Sequence, residues 1–390
     1  MISVDEARAH LFDLVSPLEV ETVPLAQAAG GVLARDAVAT RDQPPFAASS
    51  MDGYAMNSTE VELHAMFKVI GEAAAGKRFS GGVKPGQAVR IFTGAPMPEG
   101  TDFVVIQENT EQRGDLVTIT DGPGTKSNVR PAGVDFRIGD RLTAPRRLTP
   151  SDVALLAAMN IPDVPVTRRP VVALISNGDE LVMPGDIPGP DQIIASNTFG
   201  LKALLEEVGA QVRMLPVARD TTRSLSTALE LAVGADVVIT IGGASVGDHD
   251  LVEEVTGTLG MQRSFYKVLM RPGKPLMAGR LGDAAMIGLP GNPVSAMICG
   301  HIFVAPLLRH MQGLPDPLPQ MYSATLTKAL TENGPRAHYM RAMIDSNGIA
   351  AAEDQDSSLL RVLASANALI MRPPQDPARE VGETVSYIPL

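Results

Sequence analysis

The stretch from Thr240 to Asp250, TIGGASVGDHD, contains Gly243-Ala-Ser245-Val-Gly247. In a hydrolase that spacing puts a nucleophilic serine on a sharp strand-to-helix turn. Such an elbow needs a strand running straight into the serine and a helix starting directly behind it. Here Gly242 and Gly243 precede the turn, and Gly247-Asp-His-Asp250 delays the next helical segment, LVEEVTG. A triad also needs an acid and a histidine later in the chain. Of His249, His301, His310 and His338, two lie in the apolar run PVSAMICGHIFVAPLLRHM, where a structural histidine is the commoner case. The loop reads better as a backbone cradle whose glycines let the chain approach an anion and aim N–H groups at it, with Ser245 donating one hydrogen bond. Asp248 and Asp250 then either hold a divalent cation or cap the following helix.

Two further stretches share this character. KVLMRPGKP sets Lys267, Arg271 and Lys274 around a Pro-Gly turn, a compact basic cluster in an acidic chain, or else ordinary surface. GLPGNPVSA places Pro290, Gly291 and Pro293 at the head of an apolar helix. Rigid prolines fix that turn, and a helix N-terminus offers N–H groups to an anion; the alternative is a plain helix start. Neither stretch fits a Walker A loop, which requires G-x-x-x-x-G-K-[ST].

The elements that must position these loops read as α/β from Pro170 onward. PVVALIS, VRMLPVA and DVVITIGG are strand candidates, while Leu201, Leu204, Leu205 and Val208 follow helical spacing and TTRSLSTALELAVGA is a second helix. Such alternation predicts a parallel sheet covered by helices on both faces, with ligands beyond the carboxyl ends of its strands. The loops at that end are SNGDEL with Glu180, ARD with Asp220, and GGASVGDHD. Ahead of this region, Ser3 and Glu6 form a capping-box pattern for a helix bearing Ala7, Leu11 and Leu14, and Thr149-Pro150 open another helix. From Thr40 to Gly139 short β-type runs dominate: FKVIGE, QAVRIFTG, DFVVIQEN and DLVTIT. Residues after the Pro-rich GLPDPLPQ return to short strands.

Composition limits the function classes. A chain of 390 residues with 45% hydrophobic content can bury real cores, and its net charge of −11 gives no basic footprint for nucleic acid. No run approaches the length a membrane span needs, and MISVDEARAHLFDL lacks the basic-then-apolar order of a signal peptide, which places the chain in the cytoplasm. The single cysteine, Cys299, sits in an apolar run and reads as core, since it can form neither an intrachain disulfide nor a thiolate metal site.

Taken in order, SSMDGYAM, RIFTGAPMPEG, SNGDEL, GGASVGDHD, RPGKP and GLPGNPVS resemble the MoeA family of molybdopterin molybdotransferases, which includes the gephyrin E-domain. The resemblance covers essentially the whole chain. It implies a MogA-like three-layer α/β domain from 1–19 and 168–318, a linker domain from 20–39 and 140–167, a β-rich domain from 40–139 and a C-terminal β-barrel from 319–390. It also implies that the N-terminal helix packs with the α/β domain and that the protein is an elongated homodimer. The implied reaction takes molybdate and adenylylated molybdopterin, inserts the metal into the pterin dithiolene and releases AMP with Mg²⁺ assisting. Transient contact with a MogA-type adenylyltransferase and with molybdoenzyme chaperones belongs to the same expectation.

Site residues carry over by motif. Glu180, Asp220 and Asp250 match the acidic positions that would hold Mg²⁺, an ion that prefers carboxylate and phosphate oxygens. Lys267, Arg271 and Lys274 supply charge, and Ser245, Pro290 and Pro293 the cradle. Asp52 of MDGYA and Thr93 of FTGAP match site positions in the β-rich segment, which in a dimer would reach the other subunit's α/β domain. Arg130 and Asp135 in NVRPAGVDF match as well, although read alone they fit an exposed arginine and a turn cap. Arg341 and Ser357 resemble molybdate-site positions; by residue type they equally fit an outward strand residue and a turn. This chain departs from the family at Arg271, where many members carry lysine, and more mildly at Asn177 and Ala244. A nonenzymatic scaffold or pterin-binding paralogue is the alternative reading. Joint retention of Glu180, Asp250 and Lys274 favours the enzyme.

Overall fold

A computed structural model describes residues 1–243 and 251–390. Its central sheet runs in the order Gln211–Met214, Val171–Ser176, Val237–Ile241, Ala284–Leu289, Met277–Leu281, Gln262–Tyr266. The first four strands are parallel, as the alternating pattern predicts. Met277–Leu281 is antiparallel to both its neighbours, so the sheet is mixed: a short turn at Gly282 folds it back on Ala284–Leu289. Period-two alternation splits the strand side chains between two cores. Val172, Leu174 and Ile239 face the helix Asn197–Glu207 and the 293–311 helix, while Ala173, Ile175 and Val238 face helices Thr222–Glu230 and Leu251–Thr258. The expected strand VRMLPVA is shorter than its apolar run, because Pro216 lacks the N–H a ladder needs.

The N-terminal helix Val4–Phe12 opens on a complete capping box, with Ser3 and Glu6 each accepting the other's backbone N–H. Its buried Val4, Ala7 and Leu11 join the core of the α/β sheet, as the resemblance implies. Helix Pro150–Ala158 starts the same way, from Thr149 and Asp152. Pro293–Met311 is a 19-residue helical run that is long and apolar enough to cross a membrane, which corrects the reading that no such run exists. It is 78% buried and serves as the core helix of the sheet. Its middle, Gly300–Val304, widens to a π-turn just before Pro306, whose missing N–H and bulky ring disrupt regular α-helical bonding. Gly300 lets it lie against Asn197–Glu207, since a Cβ there would come within 2.7 Å of the Leu201 side chain.

Elsewhere the chain is mostly β. Residues 20–33 pair with 146–167 in one small sheet. All four expected runs between 66 and 119 form strands of a six-stranded sheet that also includes Gly53–Met56 and Thr110–Arg113. At the C-terminal end, Ala337–Asp345 pairs with Gly348–Ala351 and Ala368–Arg372, and Thr384–Pro389 continues the sheet to Tyr322–Thr325. A bridge from Leu326 to Ile349, with Thr327 N–H donating to Ile349 O at 2.9 Å, closes it into a small barrel. Met270–Arg271 also joins this sheet, in parallel with Ala337 and His338, so the basic loop is stitched to both units.

Candidate functional site

The carboxyl ends of the parallel strands lie level. Asn177 N–H donates to Ile241 O at 2.9 Å, and Gly242 N–H to Leu289 O at 3.1 Å. A cavity of about 890 Å³ opens beyond them, walled by Asn177, Glu180, Asp220, Gly242, Pro290 and Pro293 among others. Gly242 and Gly243 are required by what lies beneath them. Both have positive φ (91° and 73°), and a Cβ would meet the Asn177 carbonyl oxygen at 2.6 Å from Gly242, or the Val252 side chain at 2.6 Å and Asn177 Nδ2 at 3.0 Å from Gly243. Gly242→Ala is therefore expected to destabilise the fold by about 1–3 kcal/mol and to depress activity further by tilting the loop. A melting temperature equal to the parent's would contradict this account.

Two of the three expected metal carboxylates come together at the cavity. Asp220 Oδ1 accepts from Asn177 Nδ2 at 2.6 Å and its Oδ2 accepts the Asp179 N–H at 3.3 Å, while the Asp220 N–H donates to Asp179 Oδ1 at 3.2 Å. Glu180 folds its carboxylate over Gly178, where a Cβ would come within 2.4 Å of it. The third carboxylate, Asp250, lies outside the described residues, as do Ser245 and Asp248. Among the described residues no three His, Cys, Asp or Glu side chains are grouped to hold a metal.

The basic loop adjoins this wall through Pro275. Val268 N–H donates to Lys274 O at 3.0 Å and Lys267 N–H to Leu276 O at 2.9 Å, which close the turn. The Lys267 ammonium lies 4.6 Å from the Tyr266 ring centroid, a cation–π contact. Among the described residues, none of Lys267, Arg271 and Lys274 forms an ion pair with a carboxylate, so their charge is available to an anion. The Pro-Gly turn packs on Cys299: a Cβ on Gly273 would come within 2.6 Å of Sγ. Burial pushes that thiol up, in keeping with a core role.

Arg341 is not an outward strand residue. It is 1% exposed, its Nε donates to Gln355 Oε1 at 3.2 Å and one terminal nitrogen donates to Asp356 O at 2.8 Å. Among the described residues the other terminal nitrogen is buried without a partner, and burial draws the guanidinium pKa down. Ser357 ties the barrel to the cavity rim: its Oγ accepts from Asn292 Nδ2 at 3.1 Å and its carbonyl accepts the Val294 N–H at 3.1 Å. That second bond revises the expectation of a free helix N-terminus. Pro293 has no N–H and that of Val294 is taken, and Pro290 and Pro293 both line the cavity.

Asp52 and Thr93 form a pair far along the chain from these elements. The Thr93 N–H and hydroxyl both donate to Asp52 Oδ1 at 2.8 Å, and these bonds hold the carboxyl below its usual range. Arg130 is exposed on a strand paired with Ala48, and the Asp135 N–H donates to Gln43 O. None of these four lines the cavity, whose walls all come from residues 176–358. Residue-by-residue reading missed Asn177, Asn197 and Asn292 as site groups. Asn197 Nδ2 donates to Gly291 O at 2.7 Å, so the three asparagines link the strand ends, the Pro-Gly loop and the barrel. Asparagine beside a helix start ordinarily reads as a cap, which hid two of them.

A mixed α/β sheet with a cavity beyond its strand ends, lined by glycines and carboxylates, is the arrangement in which open α/β sheets bind their ligands. The chain belongs to the MoeA family: residues 2–160 match the MoeA N-terminal region (domain I and II), 173–310 a probable molybdopterin binding domain and 323–390 the MoeA C-terminal region (domain IV). It is 34% identical to the molybdopterin molybdenumtransferase of Haemophilus influenzae over 100% of this chain and 98% of that one. It is 35% identical to molybdopterin molybdenumtransferase 2 of Mycobacterium tuberculosis over 95% of each. Its structure is similar to that of a molybdopterin biosynthesis moeA protein from Pyrococcus horikoshii, with a TM-score of 0.83 at 25% identity over 100% of both chains.

Proposed function

We propose that this chain is a molybdopterin molybdenumtransferase that inserts molybdate into adenylylated molybdopterin and releases AMP. The observation that carries the proposal is the cavity itself, whose lining brings Glu180 and Asp220 together with Pro275 of the basic loop at the strand ends. Both substrates are anions, so the carboxylate wall requires a cation between. The oxygen-only donor set of Glu180, Asp220 and the unpartnered Asn177 Oδ1 suits Mg²⁺. When bound, Mg²⁺ would supply charge neutralisation toward phosphate oxygens. Lys267, Arg271 and Lys274 offset the charge of the oxyanion. Arg341 and Ser357 present donors from the barrel side, while Pro290 and Pro293 keep the opposite wall rigid. Ser245 and Asp250 extend the set by their motif, with Ser245 a hydrogen-bond donor and not a nucleophile.

Because Asp52, Thr93, Arg130 and Asp135 stand apart from the cavity of their own chain, they serve the cavity of a second copy, making the active unit a homodimer. The test follows AMP release and active cofactor formation by purified protein supplied with adenylylated molybdopterin, molybdate and Mg²⁺. Omitting molybdate or adding excess EDTA should abolish turnover. Undiminished AMP release in EDTA would remove the cation from the site, and none under any condition would favour the scaffold reading.

A further inference from the structure

Asn177 stands at the floor of the cavity, 4% exposed, on the strand that carries the acidic loop. Its backbone is fixed on both sides, donating to Ile241 O and bridging in parallel to Ala218. Its amide orientation is also fixed by chemistry. Asp220 Oδ1 lies 2.6 Å from one amide atom, and an ionised carboxylate only accepts, so that atom is the Nδ2 donor. The other amide atom, Oδ1, therefore does not bond Asp220, and among the described residues it is buried without a hydrogen-bond partner. A buried amide oxygen left in this state is unfavourable by itself and calls for a ligand that is a Lewis acid or a donor. Gly243 lies over the same side chain, and because a Cβ there would come within 3.0 Å of Nδ2, the glycine is what leaves space for the amide in this orientation.

We propose that Asn177 does two jobs at a divalent-cation site: Nδ2 orients Asp220, and Oδ1 is a neutral oxygen ligand beside the Asp220 and Glu180 carboxylates. The inference rests on the cation reading given above. Divalent magnesium and manganese accept amide oxygens alongside carboxylates, and groups that orient a ligating carboxylate typically set metal affinity by ten- to a hundredfold. Position 177 thus tunes the metal site.

The experiment titrates the full-length protein with Mn²⁺, following loss of the free-ion electron paramagnetic resonance signal, for the parent and for Asn177→Leu, Asn177→Asp, Asp220→Asn and Glu180→Gln. Asn177→Leu removes donor and ligand together and should weaken Mn²⁺ binding about ten- to a hundredfold. Asn177→Asp is isosteric and protects the test against a misfolded leucine variant. It sets two carboxyls 2.6 Å apart in place of an amide and a carboxyl, so the pair shares a proton at low pH. At pH 8, where both carboxyls ionise, this variant keeps an oxygen ligand but loses the Nδ2 donor, so its Mn²⁺ affinity should stay near the parent's, whereas a role confined to orienting Asp220 predicts the same loss as Asn177→Leu. If Asp220→Asn and Glu180→Gln weaken binding while Asn177→Leu stays within threefold of the parent, or Asn177→Asp at pH 8 loses as much affinity as Asn177→Leu, the assignment of Asn177 as a ligand is wrong and the carboxylate site stands. If the parent binds no Mn²⁺, both fall.

Discussion

Asp52→Ala and Asp220→Ala, each nearly inactive alone, should restore activity when paired in one dimer. One oxygen of the Asp52 carboxylate, Oδ1, is held by Thr93 beside the β-rich sheet, and among the described residues that sheet contributes nothing to the cavity of its own chain. If each active site combines one subunit's cavity with the other's Asp52–Thr93 pair, a heterodimer of the two variants contains one site with both changes and one with neither. Each single change is expected to lower AMP release by roughly a hundredfold, the scale for removing one preorganised group at a site of developing charge. A heterodimer purified through two different affinity tags should then regain about half of the parental rate, because one of the two sites of a two-fold assembly is intact. Activity that stays at the background of the single variants would mean that Asp52 acts within its own chain or only on folding. A parental variant carrying the same tags controls for the purification.

What could be read from the sequence was what is local. Capping boxes at Ser3–Glu6 and Thr149–Asp152 are set by residues three apart, and the amphipathic period of Leu201, Leu205 and Val208 reports the face that the sheet covers. The glycines of IGG were legible as a close-approach signal, although what they approach first is Asn177 and not a ligand. What was hidden is non-local. Nothing in RPGKP or in YMRAMI announces that Met270 pairs with Ala337, so the barrel's use of a strand from the basic loop depends on a contact between distant segments. The same holds for Arg341. A charged residue in a short strand reads as exposed, and only the Gln355 and Asp356 oxygens that receive its guanidinium make its burial tolerable. The antiparallel end of the central sheet was missed because its strands, MAGRL and AAMIGL, are too short and too uniformly apolar for a clear period.

Mild acid should destabilise this protein well before its carboxylates titrate. Burial pushes His301 and His338 down to about 4 each, with Arg309 adding to the effect on His301, and Arg271, Arg372, Arg341 and Arg336 on His338. His338 Nε2 is also buried without a partner, so the protonated ring finds no acceptor there. Above the unfolded value of 6.5 both states hold these rings neutral, and they impose no penalty. As pH falls from 6.5 toward 4 the unfolded chain takes up two protons that the folded chain refuses, so folding stability drops throughout that window and levels off below it. At pH 5 the loss is roughly 2 kcal/mol per histidine, or about 4 kcal/mol together, a large share of a typical stability of about 5–15 kcal/mol. Carboxylates held below their usual range, such as Asp236 and Asp376, lose their contribution only at lower pH, as pH falls through their depressed folded values. Urea unfolding at pH 7.5 and pH 5 should therefore separate the two groups. The parent's midpoint should fall sharply between these conditions, and most of that fall should vanish in a His301→Gln, His338→Gln double variant. An equal fall in parent and double variant would place the acid sensitivity elsewhere in the molecule.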